Sequence, residues 1–329
     1  MPRRFFQPKL VNGPAGDPAL FVELAGEGRA LLFDLGRVDR LRPAELLRVS
    51  DVFVTHAHID HFIGFDHLLR ISLGHDKRLR FFGPPGFFTN VEGKLAAYTW
   101  NLVEGQTFEI EVCECRGDRL HRRRYPCGEG FRAAAEEEVV AIREGRILAE
   151  RKFDVFSETL DHRIPCLGFA VRERKRINVD ADRLEASGLQ PGPWVGRLKT
   201  AVEEGWDEDT AIRVGEAEMT LGELRSRLVR ITPGDRLAYV ADAGFTEENQ
   251  EKIVRLASGA GRFFCEGGLL SADEERALAN RHLTAAQAGR LARRAGAEDL
   301  TVFHFSPKYA GRHEELMEDA QGAFRGQGR

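Results

Sequence analysis

The chain has 329 residues, with 48 Lys and Arg against 52 Asp and Glu, a formal net charge of −4, 42% hydrophobic residues and 22 Phe. This composition suits a folded chain with a proper core and excludes a disordered or fibrous one. No run approaches the roughly 18 apolar residues of a membrane span, and a net charge of −4 exerts no global pull toward polyanions.

In chain order, residues 19–24 and 29–34 predict a strand hairpin and 51–55 a third strand. A helix is expected over 64–73, then a short strand at 80–82 closed by Gly83-Pro84-Pro85-Gly86 and a helix over 88–98. Residues 108–115 alternate apolar and polar side chains as a half-buried strand does, and 153–160 and 166–172 repeat that signal. Later come a strand at 236–241, a helix at 247–258, a strand at 262–265, a helix at 284–295, a strand at 301–305 and a last helix at 314–324. Hairpins early and single strands between helices late favour two sheets covered by helices over a doubly wound sheet.

Two segments interrupt this rhythm and are expected to be excursions from the core. Residues 113–150 are strongly charged, with Arg122-Arg123-Arg124 and Glu136-Glu137-Glu138. Residues 174–232 contain Gly188-Leu189-Gln190-Pro191-Gly192-Pro193. Arg116, Arg119, His121 and Arg122–Arg124 form a local basic run, either a solvated face or a phosphate grip. Cys113, Cys115, His121 and Cys127 have the makings of a small structural zinc site, or are inert thiols. The start, Met1-Pro-Arg-Arg-Phe-Phe, has no apolar stretch behind its arginines. No secretion signal is read there, and a cytoplasmic protein with five reduced cysteines is expected.

The chemistry concentrates in Thr55-His56-Ala57-His58-Ile59-Asp60-His61, directly after a strand. Residues i and i+2 leaving a strand point the same way, so His56 and His58 can share one ion, while Asp60 and His61 lie further round the turn and can reach a second. Imidazole and carboxylate donors imply zinc first, with manganese or iron possible. His162, Asp242 and His304 each follow a predicted strand and are the candidates to complete a two-ion site. Asp242, with two oxygens, is suited to bridge the ions. Asp34, also at a strand end, is either an ordinary turn residue or the group that fixes the histidine loop.

The order H-x-H-x-D-H, then His, Asp and His resembles the metallo-β-lactamase superfamily. The flanking residues resemble its ribonuclease Z branch, the tRNA 3′-end processing endonucleases. Asp161-His162-Arg163-Ile164-Pro165-Cys166-Leu167-Gly168-Phe169 is similar to that branch around its third metal histidine. Phe303-His304-Phe305-Ser306-Pro307-Lys308-Tyr309 is similar to its closing motif, with Lys308 where Arg is usual. Residues 188–193, with Leu198-Lys199, resemble the Gly/Pro-rich tip of its tRNA-holding arm.

The resemblance implies an α+β fold, a single four-layer αββα sandwich over 1–329 with an inserted arm at 174–232 acting as an RNA exosite. It implies that His56, His58 and His162 hold one zinc and Asp60, His61 and His304 the other, with Asp242 and a hydroxide between them. Asp60 would accept the water's proton. Glu266 would orient His282, which would protonate the departing 3′ oxygen. Pro191, Gly192, Pro193 and Lys199 would contact a tRNA precursor, often on a dimer. The family's histidine before Glu266 is here Cys265, Gln190 replaces a proline, and Val11–Pro18 departs from the usual Gly/Ser-rich opening loop. The alternatives are the same centre acting on a small ester, thioester or cyclic nucleotide, and a non-catalytic RNA-binding scaffold.

Overall fold

The first eight strands hydrogen-bond to one another in chain order. The computed structural model describes residues 4–134 and 136–327, leaving Met1, Pro2 and Arg3 of the start outside. In it β1 (Phe6–Leu10), β2 (Leu20–Leu24) and β3 (Ala30–Phe33) run antiparallel. β4 (Val49–Phe53), β5 (Arg78–Gly83) and β6 (Glu109–Arg116) then run parallel to β3. β7 (Arg119–Pro126) and β8 (Glu138–Ala141) return antiparallel. Parallel neighbours need crossovers, and these are α1 (Pro43–Arg48), α2 (Ile59–Phe62) with α3 (Phe65–Ser72), and α4 (Phe87–Ala96).

A second, six-stranded sheet starts with β9 (Arg146–Ala149), β10 (Phe153–Asp161) and β11 (Pro165–Glu173). The chain then forms a compact unit over residues 173–235. There β12 (Lys175–Val179) is followed by α5 (Ala181–Ala186), α6 (Pro193–Glu204), the hairpin β13 (Ala211–Val214) and β14 (Ala217–Thr220), and α7 (Leu221–Leu228). The unit closes with β15 (Val229–Pro233), antiparallel to β12. It has its own apolar cluster, centred on Trp194, Leu198, Ala201, Ile212, Leu221, Leu224 and Leu228.

β16 (Arg236–Val240) then re-enters the second sheet against β11, followed in parallel by β17 (Arg262–Glu266) and β18 (Leu300–Phe303). Their crossovers are α8 (Glu247–Leu256), then α9 (Glu274–Asn280) with α10 (Ala285–Ala295), and α11 (His313–Arg325) follows β18.

Period-2 alternation in the strands gives the larger unit three apolar layers. One covers the outer face of the first sheet beneath α1, α3 and α4. One lies between the sheets, and one beneath α8, α10 and α11. The result is the αββα order. In the middle layer Phe33, Phe53 and Phe82 sit opposite one another in register, ring centroids 5.0 and 4.8 Å apart. Phe169 of the other sheet lies 5.5 Å from Phe53 and 5.9 Å from Phe33. Aromatic pairs add about 0.5–1.5 kcal/mol each beyond the area they bury, so the sheets are fixed against each other just below the ends of β3 and β4.

Residues 113–150, expected to be an excursion, instead supply the end of β6 and all of β7, β8 and β9. Their charges pair with one another across strands: Arg123 with Glu137 at 2.7 Å, His121 with Glu137 at 2.6 Å, Arg122 with Glu138 at 3.6 Å. His121, Arg122 and Arg123 of the basic run are therefore matched by carboxylates, and the strand's buried Leu120 and Tyr125 face opposite apolar layers. Cys113 and Cys115 point into the inter-sheet layer while Cys127 belongs to the outer one, so the cysteine–histidine zinc reading fails. All five cysteines are free and buried.

Candidate metal centre

Six separate chain segments deliver the site. At one end of the larger unit, β3, β4, β16, β17 and β18 finish, and β10 turns into β11. Asp34 follows β3, His56 follows β4, His162 lies between β10 and β11, Asp242 follows β16, Glu266 ends β17 and His304 follows β18. Several of these turns need left-handed backbone: φ is +55° at Asp34, +47° at Asp242 and +62° at His304. Each such residue costs about 1–2 kcal/mol.

Asp242, 2% exposed, stands at the middle. Its Oδ2 is 3.4 Å from His61 Nε2, 3.5 Å from His162 Nε2 and 3.6 Å from His56 Nε2. Its Oδ1 is 2.7 Å from His304 Nδ1 without hydrogen-bond geometry. His58 closes on the same group, its ring 4.3 Å from that of His56 and 5.5 Å from that of His162. Asp60 Oδ2 lies 3.2 Å from His304 Nε2 and 3.5 Å from His61 Nε2. Two donor sets follow, His56, His58, His162 and Asp242, and Asp60, His61 and His304, joined by a third, Asp242, Glu266, His282 and His304, that shares one residue with each. Within each set the donor atoms lie within 4.8 Å of one another. All seven residues singled out from the sequence as metal donors are brought together.

Asp34 locks the histidine loop from below. Its Oδ1 accepts from Thr55 N at 2.8 Å and Thr55 Oγ1 at 2.9 Å, and its Oδ2 from His61 Nδ1 and Tyr239 OH, both at 2.9 Å. The loop is also strapped by its backbone, Leu35 N donating to His61 O and Gly64 N to Leu35 O, each 2.8 Å. That approach requires glycine: a Cβ on Gly64 would stand 2.1 Å from Gly36 O. His162 is fixed from the far side, its Nδ1 donating to the Arg281 carbonyl at 2.7 Å.

The donor set fits a cation. His56 Nε2, His61 Nε2, Asp242 Oδ1 and His304 Nδ1 are buried without a hydrogen-bond partner among the described residues, and all four face the same space. Buried polar atoms are otherwise almost always satisfied. Left to themselves, the groups share protons. Burial opposes charge on His61, yet Asp34 and Asp242 carry its pKa up to about 10. Burial and the neighbouring His61 push His56 down to about 2. Burial also opposes ionisation of Asp60, but the His304 hydrogen bond and the charge of His61 hold it at about 2. A divalent cation supplies the same positive charge in place of those protons.

Next to this cluster, Glu266 and His282 form a dyad, His282 Nδ1 lying 2.8 Å from Glu266 Oε2 and 3.8 Å from Asp242 Oδ1. Burial works against a charged His282, but Glu266 raises its pKa to about 9. Cys265 takes no part. Strand alternation turns it into the apolar layer beneath α10, fully buried, while Glu266 faces the cluster. A cavity of ≈ 490 Å³ opens over His58, Asp60, His162, Asp242, His282 and His304, with Arg163, Ile164 and Asn280 at its wall. A second, of ≈ 230 Å³, continues past His282 to Arg276 and Ser306. Thr55, Tyr239, Arg276, Asn280 and Arg281 were not anticipated. Only Tyr239 left a signal, as a hydroxyl within the apolar run Leu237-Ala238-Tyr239-Val240-Ala241.

Pro191, Gly192, Pro193 and Lys199 belong to the unit of residues 173–235. Pro191 lies in the turn between α5 and α6, Gly192 is the N-cap of α6, Pro193 its first residue, and Lys199 sits exposed on it. No helix among the described residues is long and apolar enough to cross a membrane.

A profile of the metallo-beta-lactamase superfamily matches residues 16–72. The chain is 31% identical over 321 residues to ribonuclease Z of Deinococcus radiodurans, covering 96% of this chain and 95% of the relative. It is 31% identical over 313 residues to ribonuclease Z of Thermobifida fusca, covering 92% and 84%. Among solved structures, the metallo-beta-lactamase fold protein YhfI of Bacillus subtilis superposes with a TM-score of 0.57 at 14% identity, covering 97% of this chain and 94% of that one. The short form of human tRNase Z superposes with a TM-score of 0.50 at 18% identity, covering 93% and 92%.

Proposed function

The chain belongs to the ribonuclease Z branch of the metallo-β-lactamase superfamily, a family of metal-dependent hydrolases, and from that premise we propose that it is a dinuclear zinc endonuclease cutting tRNA precursors at their 3′ end. The observation that supports this most directly is the convergence of four orphaned buried donor atoms on one space beside a charged Glu266–His282 pair. His56, His58 and His162 would hold one ion, Asp60, His61 and His304 the other, with Asp242 shared. Held there, two zinc ions would supply Lewis-acid polarisation of a phosphoryl oxygen and would lower the pKa of coordinated water.

The chain's own groups do the rest. Asp60, ionised and half-exposed at the cavity wall, is placed to take the proton of an attacking water. His282 lines the same cavity, is charged through Glu266, and would donate its proton to the leaving 3′ oxygen. The cleavage leaves a 3′-hydroxyl. The same proposal takes the protein to be cytoplasmic and homodimeric, with the 173–235 unit as the place where RNA docks.

The test is a labelled tRNA precursor beside a fluorogenic bis-phosphodiester, with elemental analysis of the purified protein. Cleavage of both, abolished by a chelator and restored by zinc, is expected. Cleavage of the small diester alone rejects the RNA substrate in favour of a small-molecule hydrolase.

A further inference from the structure

The outer face of the second sheet carries a cavity of ≈ 830 Å³ that the proposed reaction does not use. Its floor is apolar: Phe156, Ala170, Ala238, Leu256 and Ala260. Its rim holds Arg143, Arg146, Arg172, Arg236 and Arg255 against Glu144, Asp154 and Glu158, five guanidinium groups to three carboxylates, an excess of two positive charges. Two of the acids are engaged: Glu158 lies 2.8 Å from Arg255 and Asp154 3.9 Å from Arg146.

At the end of the cavity, Arg172 of β11 and Arg236 of β16 are direct cross-strand partners. Like charges directly opposite in an antiparallel pair are destabilising, and here both lie on the face that lines the cavity. Arg236 is half-buried, and burial together with the charge of Arg172 lowers its pKa. Its Nη1 reaches within 3.5 Å of where a Cβ on Gly259 would stand, at a position whose φ of +61° favours glycine. Arg172 meanwhile lies over the Phe156 ring, 4.7 Å from its centroid. A planar guanidinium held on an aromatic ring is a platform on which a nucleobase stacks, and paired guanidinium forks match phosphate oxygens.

We propose that this cavity is a second binding site, taking a nucleotide with its base against the Arg172–Phe156 platform and its phosphate between Arg172 and Arg236. A bare phosphate would leave the apolar floor unused, and the volume lies within the usual range for small-ligand pockets. Arg236 opens β16 and Asp242 follows its end, six residues and roughly 20 Å further along an extended strand. The site is therefore separate from the metal centre.

Binding is measured on the full-length, metal-loaded protein with two probes: a fluorescent ATP analogue, and a labelled single-stranded RNA decamer. Arg172→Glu/Arg236→Glu should weaken binding of at least one probe about tenfold or more, since each group contributes charge-assisted hydrogen bonds. Hydrolysis of the small phosphodiester should stay unchanged. Should charge reversal lower the melting temperature, Phe156→Leu keeps every charge and should still weaken the probe relative to inorganic phosphate. The probe that responds identifies the source, a free nucleotide or an RNA strand. Equal affinity in wild type and both variants, or no binding of either probe below 1 mM, overturns the proposal.

Discussion

Replacing Asp34 by Asn keeps the shape of the side chain and tolerates the left-handed backbone at φ +55°, so it isolates the charge. The carboxylate accepts from four donors, and an amide can serve only part of them. Its oxygen can keep Thr55 N and Oγ1, leaving the NH₂ facing His61 Nδ1 and Tyr239 OH. The tyrosine hydroxyl can rotate to accept. His61 can accept only by moving its proton from Nδ1 to Nε2, the atom aimed at Asp60 and Asp242. The tautomer that satisfies the amide therefore blocks a proposed metal donor. Losing one charge-assisted bond costs about 1.5–3 kcal/mol, and removing such a partner of a ligand histidine lowers metal affinity about 10–100-fold. Competition for zinc against a chelator of known strength, with thermal melting of the metal-free protein, measures both. An Asn variant that binds zinc within threefold of wild type refutes the reasoning.

His282→Ala should lower kcat on a tRNA precursor by about 10²–10⁴ while sparing a nitrophenyl diester, whose leaving group needs no proton; equal losses would place His282 in substrate binding. Cys265→His, which restores the residue usual in the family, should destabilise the protein by about 1–3 kcal/mol through overpacking of a fully buried position and leave turnover per folded molecule unchanged. Unfolding in urea and active-site titration check this. Lys199→Glu should raise KM for precursor RNA and not for the small diester. Excising residues 188–199 would not test the same point, because it removes Trp194 and Leu198 from the unit's own core.

The site was legible because its chemistry sits at strand ends, where period-2 patterns stop and a His or Asp follows: Val54-Thr55-His56, Val240-Ala241-Asp242, Phe303-His304. β7 to β9 were hidden because their polar face carries paired charges, so Arg122, Arg123, Glu137 and Glu138 read as a solvated run rather than a sheet margin. α1 spans six residues, too few to show a helical period. Tertiary partners were out of reach altogether: nothing local marks the Arg281 carbonyl as the acceptor for His162, or Tyr239 as a donor to a carboxylate 205 positions away. The direction of Cys265 was readable, because Phe263 and Cys265 must share one face of a strand and Phe264 and Glu266 the other.

The left-handed turns at Asp34, Asp242 and His304 set stability and chemistry against each other at the same three positions. Glycine at any of them would relax the main chain and remove a proposed metal donor or, at Asp34, the carboxylate that holds the histidine loop. At Asp34 that relief, about 1–2 kcal/mol, is outweighed by the four hydrogen bonds its carboxylate accepts, so a library screened for heat resistance alone should keep Asp34 and accumulate glycine first at His304, as expected where strain is concentrated at a proposed site.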